Sequence, residues 1–190
     1  MARLILVTGG GRSGKSRYAQ ELAEAQRGKK TYLATCPPLD DEMRERIRRH
    51  QAARETRGWE TCEETINLVE ALGRVADSNV VLLDCLTLWV NNLMFAERDG
   101  DNALNEDALA LYAEDLAKAC KAHPGDAVIL VTNEVGMGII PENALTRRYR
   151  DLAGRCNQTI AAAADDVVLM VSGVPLQIKT CGKLNLAPGD

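Results

Sequence analysis

The sequence predicts an α/β fold with a mostly parallel central sheet and helices on both faces. Three observations lead there. Short apolar runs alternate with longer segments of helical periodicity along the chain. The runs are continuous, as in Asn79-Val80-Val81-Leu82-Leu83-Asp84, which suits a strand covered on both sides. The first run, Leu4 to Val7, enters a helical segment through Gly9-Gly10-Gly11-Arg12-Ser13-Gly14-Lys15-Ser16. That octapeptide fits G-x-x-x-x-G-K-[ST], the phosphate-binding P-loop.

In chain order, Ser16 to Gln26 is the first helix, with Ala19, Leu22 and Ala23 on one side and Gly28 beyond its end. Lys30 to Thr35 is the second strand, stopped by Cys36-Pro37-Pro38. Asp40-Asp41-Glu42 opens a helix to about Arg54, with carboxylates at its positive end. Met43, Ile47 and His50 share a face there, and Arg46, His50 and Arg54 form an i, i+4, i+8 row. Arg57-Gly58-Trp59 reads as a turn. Thr61-Cys62-Glu63-Glu64 has capping-box spacing and predicts a helix to about Ala76, with Ile66, Val69, Leu72 and Val75 or Ala76 inward.

After the strand Asn79–Asp84, Leu86 to Phe95 is an apolar helix and Glu97 to Asn102 a polar break. A helix from Asn105 to Ala122 carries Leu109, Tyr112, Leu116 and Ala119 as its stripe. Ala127 to Thr132 is the fourth strand, followed by a break at Gly136-Met137-Gly138. Asn143 starts a long helix to about Ala164, with Leu145, Tyr149, Leu152, Cys156 and Ile160 aligned. Val167 to Ser172 is the fifth strand, and Val174 to Ile178 a sixth at an edge, because Pro175 lacks a donor. The whole reads as one domain over 1–180 with a tail over 181–190.

Composition narrows the function. The 190 residues suit a single core, and the net charge of -4 argues against general nucleic-acid binding. Six cysteines stand singly, without a C-x-x-C pair or a signal peptide, which points to free thiols in a reducing cytoplasm. No apolar run approaches the length of a membrane span.

In the P-loop, glycines turn backbone N–H groups onto phosphate oxygens, and the helix N-terminus adds positive charge. Lys15 is placed for the β- and γ-phosphates and the Ser16 hydroxyl for Mg²⁺. Asp84 ends an apolar strand, where a carboxylate meets Mg²⁺ or a water bound to it; the alternative is a plain strand-end acid. His123, in Ala122-His123-Pro124-Gly125, reads as a capping or surface residue. His50 has two readings. It is a half-buried packing residue, or a neutral imidazole kept nucleophilic by Arg46, Arg49 and Arg54. Those arginines are in turn either a phosphate clamp or a solvated face answering Asp41, Glu42 and Glu45. Val131-Thr132-Asn133-Glu134-Val135-Gly136 lies at the carboxyl end of a strand, where ligands of open α/β sheets bind, and is equally readable as a plain loop exit.

Together these residues resemble one family, the bifunctional adenosylcobinamide kinases and adenosylcobinamide-phosphate guanylyltransferases of cobalamin synthesis. The matching segments are LVTGGGRSGKSRYAQ, DDEM-x-x-RI-x-x-H from Asp40 to His50, W-x-T-x-E from Trp59 to Glu63, VVLLDCLT, VTNEVGMGIIPEN and RRYRDLAGRCNQTIAAAADDVVLMVSG. They run from Leu6 to Gly173. The resemblance implies a P-loop fold of the RecA type and a homotrimer. It implies two reactions: ATP or GTP phosphorylates the aminopropanol hydroxyl of adenosylcobinamide, and GTP then gives GMP to a histidine, which passes it to the substrate phosphate as adenosylcobinamide-GDP forms. The guanylylated histidine falls on His50. Nucleotide contacts fall on Gly9 to Ser16, on Thr35, Cys36 and Pro37, on Gln51, Ala52, Ala53 and Arg54, on Glu63 and on Asp84.

Two other readings remain at this point. One is a P-loop kinase of another small molecule, without guanylyl transfer. The other is a GTP-binding switch, although the N-K-x-D guanine motif of such switches is replaced by Thr132-Asn133-Glu134-Val135 after the fourth strand.

Overall fold

The structure is a computed structural model, and it describes residues 1–37, 44–45, 48, 51–52, 54–97 and 104–185. Eight strands form one sheet: β1 (Arg3–Gly9), β2 (Lys30–Ala34), β3 (Trp59–Glu63), β4 (Val80–Asp84), β5 (Ala127–Val131), β6 (Asp166–Val171), β7 (Val174–Thr180) and β8 (Lys183–Leu184). Between them lie α1 (Lys15–Glu24), α2 (Leu68–Arg74), α3 (Leu86–Ala96), α4 (Glu106–Ala122) and α5 (Ala144–Ala163). The strand order is β3-β2-β4-β5-β1-β6-β7-β8. The first six in that order are parallel, and β7 and β8 are antiparallel additions.

This order explains where the helices go. The chain steps from β1 to β2 to β3 in one direction across the sheet, and from β3 through β4 and β5 to β6 in the other. Right-handed crossovers put the helices of opposite journeys on opposite faces. Thus α1 packs on Ile5, Val7, Val80, Leu82, Ile129 and Val131, with Trp59 in the same layer. Helices α2 to α5 cover Leu4, Leu6, Leu33, Val81, Leu83, Val128 and Leu130, with Trp89 in theirs. Alternate residues of β1, β4 and β5 feed both layers, which is why these inner strands read as unbroken apolar runs.

The helix starts at Asn105 and Asn143 are as expected. Asn105 Oδ1 accepts from Ala108 N at 2.9 Å, and Asn143 Oδ1 from Thr146 N at 3.1 Å. Other expectations are corrected. No helix starts at Thr61. Residues 59–63 pair in parallel with β2, and α2 begins only at Leu68. The carboxylate in the capping role is Glu64, which accepts from Ile66 N and Asn67 N, both at 3.0 Å.

The inner face of α4 is Leu109, Ala113, Leu116, Ala117 and Cys120, not Tyr112, which is 42% exposed. Val69 and Leu145 are likewise outside the core. His123 caps α4 but is buried, with Nε2 3.2 Å from Val75 O and Nδ1 accepting from Gly125 N at 3.0 Å. The sheet continues beyond residue 180, since Lys183–Leu184 pairs with the end of β7. That short partner leaves the Pro175 end of β7 open, as an edge proline requires.

Of the helix expected over Asp40 to Arg54, residues 44, 45, 48, 51, 52 and 54 are helical, as is 55 beyond it. Asp40 to Met43, Arg46, Ile47, Arg49, His50 and Ala53 lie outside the described residues, as do most of the polar break after Glu97 and residues 186–190. All six cysteines are free thiols; burial pushes Cys120 and Cys156 up to about 12.

Candidate nucleotide site at the carboxyl ends of the strands

The loop between β1 and α1 has the backbone its glycines permit. At Gly9 (φ +150°) a Cβ would lie 2.6 Å from Met170 O and 2.7 Å from Ser13 Oγ, so the chain passes β6 too closely for any side chain. Gly14, at φ +90°, is the N-cap of α1. Ser13 closes the loop, its N–H donating to Gly10 O at 3.3 Å and its carbonyl accepting from Gly173 N at 3.0 Å. Its buried hydroxyl has no partner among the described residues. Ser16 stands exposed in the first turn of α1.

Lys15 is only 8% exposed, and Nζ donates to Gly10 O at 3.1 Å. Burial lowers its pKa, and the charge of Asp84 opposes that shift. Lys15 and Asp84 therefore share one neighbourhood although 69 positions separate their numbers in the chain. The intervening strand is β5. Across β1, β5 and β4 the register sets Val7, Val131 and Asp84 level.

Asp84 Oδ2 accepts from Tyr32 OH at 3.1 Å. The Tyr32 ring lies under the Arg54 guanidinium, 3.6 Å from its carbon to the ring centroid. Arg54 is 6% exposed, and its Nε has no partner among the described residues. Burial lowers its pKa, while Tyr32 and Asp84 act the other way. Burial also raises the Tyr32 phenol well above its ordinary value, with Asp84 adding to it. The Arg54 side chain is thus held against the ring that reaches Asp84.

The remaining expected residues divide in two. Gln51 and Glu63 meet, with Nε2 donating to Oε1 at 2.8 Å. Ala52 is exposed, and Cys36 and Pro37 are partly buried just past β2. Thr35 is buried, and its hydroxyl is engaged with Cys85 on both sides. It donates to Cys85 O and accepts from Cys85 N, each at 2.8 Å.

Several site residues had no sequence signal. Tyr32 is one. Thr87, Asn92 and Asn157 are others, and two of them join Thr132 and Asn133, which the sequence singles out, in a polar chain beneath the strand ends. Thr132 Oγ1 donates to Asn157 Oδ1 at 2.7 Å, Asn157 Nδ2 to Asn133 O at 3.1 Å, and Asn133 Nδ2 to Thr87 Oγ1 at 2.9 Å. Asn92 Nδ2 donates to Thr35 O at 2.9 Å and Thr65 O at 3.1 Å. A separate hollow of about 840 Å³ lies between α2, α3 and α4, and none of the phosphate-handling candidates lines it.

What this arrangement can do is hold a triphosphate: a glycine loop at a helix N-terminus, a buried ammonium, and a carboxylate close by. The donor set also fits Mg²⁺. Ser16 presents an exposed side chain with a hydroxyl at the helix start, and Asp84 makes no ion pair among the described residues.

By overall shape the chain is similar to an ATP synthase subunit, NeqB of Nanoarcheaum equitans (TM-score 0.53, 11% identity, 88% of this chain and 45% of that one). It is equally similar to an ATPase of the type III secretion system of pathogenic bacteria (TM-score 0.54, 11% identity, 88% and 50%). The chain spans about half the length of those structures, and at such identity the likeness is one of fold.

Its sequence is 45% identical over 183 residues to the bifunctional adenosylcobalamin biosynthesis protein CobU of Escherichia coli (strain K12), covering 93% of this chain and 99% of that protein. It is 46% identical to CobU of Salmonella typhimurium with the same coverage. To the bifunctional adenosylcobalamin biosynthesis protein CobP of Pseudomonas aeruginosa it is 38% identical over 175 residues, covering 92% and 96%. Residues 5–178 match the family described as cobinamide kinase / cobinamide phosphate guanyltransferase, and the chain belongs to that family.

Proposed function

We propose that the chain phosphorylates the aminopropanol hydroxyl of adenosylcobinamide with ATP or GTP, and then transfers GMP from GTP through His50 to the new phosphate. The products of the second reaction are adenosylcobinamide-GDP and pyrophosphate. The observation that carries the reading is the glycine loop with buried Lys15 beside Asp84, in a chain that belongs to this family from residue 5 to 178.

In this reading the backbone N–H groups of Gly9 to Ser16 hold the β- and γ-phosphates. Lys15 neutralises charge that develops on the departing group. Ser16 and Asp84 hold Mg²⁺ with the nucleotide, and its charge helps stabilise the phosphates. Arg54, buried beside Asp84 with no partner for its Nε among the described residues, takes a phosphate oxygen in this reading, and Gln51 and Glu63 border the nucleotide together. The role of His50 comes from the family resemblance. A neutral imidazole attacks the α-phosphorus, pyrophosphate leaves, and GMP stays on nitrogen as a phosphoramidate until the substrate phosphate takes it. A homotrimer is part of the same reading. It is supported by the apolar row Val174, Leu176 and Ile178, with Leu184, which one chain leaves in water.

The test is mass spectrometry of the protein after incubation with GTP and Mg²⁺. One GMP is expected on His50, acid-labile and stable in alkali. His50→Ala is expected to lose the label and guanylyl transfer while largely keeping kinase activity, because transfer of the γ-phosphoryl does not use that nucleophile. Wild-type labelling in His50→Ala, or loss of both activities in a folded variant, refutes the division of roles.

A further inference from the structure

The kinase half of the proposed function needs a group to take the proton of the attacking hydroxyl, and we propose that Glu134 is that general base. The inference rests on the kinase reading above.

Position is the first argument. Glu134 lies just beyond β5, the strand between the one that leads into the phosphate loop and the one that ends in Asp84. Its N–H donates to Gly9 O at 3.0 Å, and Thr132 N donates to Val7 O at 3.0 Å, so this exit is bonded directly to β1 and the loop's first glycine. The side chains of Thr132 and Asn133 are tied to Asn157 and Thr87. The backbone that carries Glu134 is therefore fixed, as a catalytic carboxylate requires.

The second argument is elimination among the described carboxylates at this end of the sheet. Glu64 is paired with Arg74, Glu63 and Asp84 already serve the nucleotide and the metal in the proposed function, and Glu142 stands eight residues further along, beside the start of α5. Glu134 makes no ion pair among the described residues; one oxygen accepts from Gly136 N of its own turn at 2.8 Å. Gly136 keeps that contact close, since a Cβ there would lie 3.0 Å from the same oxygen. A carboxylate carried on backbone bonded to the phosphate loop is an unfavourable neighbour for a nucleotide unless it has a use. A group that handles the acceptor's proton accounts for such a charge.

The step balances. The acceptor oxygen attacks the γ-phosphorus, and the bond from the γ-phosphorus to the bridging oxygen breaks. The nucleoside diphosphate leaves with the electron pair, and the hydroxyl proton passes to a Glu134 oxygen, then to water. Kinases use a positioned carboxylate in this way.

The experiment measures kinase turnover against pH for wild type, Glu134→Gln and Glu134→Asp, with a fluorescent GTP analogue to titrate nucleotide binding. Glu134→Gln is expected to lower kcat by about 10²-fold or more and to abolish the acid limb of the profile. Nucleotide should bind no more weakly than to wild type, because the repulsion is gone. Glu134→Asp should fall between the two and keep the acid limb; if the Gln variant does not fold, this variant decides, and an unchanged kcat overturns the assignment. Full turnover in Glu134→Gln overturns it too, as does weakened nucleotide binding relieved by extra Mg²⁺, the mark of a metal ligand. A wild type without kinase activity overturns the kinase reading and this inference together, whereas an active wild type with an equally active Glu134→Gln overturns this inference alone.

Discussion

Lys15 is a cation in a nearly closed place, with Gly10 O as its hydrogen-bond acceptor and Asp84 as its nearby countercharge. Little in the fold needs that charge, so its loss falls on chemistry. Lys15→Ala is expected to reduce kinase turnover by about 10²-fold or more, the usual cost of removing such an electrostatic contact. The melting temperature should not drop, and calorimetry beside the kinase assay checks both. Glu64 is the opposite case, a charge that the fold uses. Its carboxyl is held down to about 2, from an ordinary 4.5, first by the Ile66 N–H, then by the Asn67 N–H and Arg74, against a partial burial that raises it. A depressed carboxylate stabilises the native state fully above its unfolded value. That contribution fades as pH falls from about 4.5 towards about 2. Glu64→Gln is expected to cost about 1–3 kcal/mol at neutral pH. Urea titrations of both proteins between pH 7 and 3 should show that gap shrinking on the acid side.

At the scale of elements, caps and stripes decide the boundaries. The side chain of Asn143 starts α5, the helix that supplies Asn157 and Tyr149 to the polar chain. Asn143→Ala is expected to cost about 1 kcal/mol, seen as a lower urea midpoint at constant m, with turnover unchanged because Asn157 lies several turns away. Elements of this kind were legible in the sequence where a local pattern suffices: the glycine loop, the unbroken strands that end in Asp84 and Thr132, and the Asn caps. Strand β3 was not, because Trp59 alone of its five residues is buried and the other four look like a polar helix start. The α4 stripe was misread through its large residues. Ala113, Ala117 and Cys120 form the inner face because α4 packs on α5, where small side chains fit. Tyr32, Thr87, Asn92 and Asn157 come from four separate segments, and no spacing rule links them before the sheet is assembled.

For the whole molecule, the two additions to the parallel core bear on assembly. β7 has exposed residues along most of its length, with Val174, Leu176 and Ile178 alternating along it. A monomer keeps that row in water at a cost of about 25 cal/mol for each Å² of apolar surface. The proposed trimer gives it a use. Light scattering across micromolar concentrations is expected to return three times the 20.7 kDa chain mass. A constant monomer would count against the trimer while leaving the fold and the site untouched.

The two sides of the sheet also differ optically. The chain has two tryptophans, and each layer holds one. Trp89 donates to Ile66 O at 2.9 Å inside the four-helix side. Trp59 donates to Glu24 Oε1 at 3.2 Å and meets the Tyr32 ring edge-on at 6.4 Å, the ring that carries Arg54 and reaches Asp84. Replacing either indole with phenylalanine leaves a single tryptophan, which can be excited apart from the tyrosines. The Trp59 signal follows the layer of α1 and Tyr32 without an added label, and the Trp89 signal follows the four-helix layer. Binding that changes the emission of the first and not the second can then be separated, in one cuvette, from loosening of the whole protein.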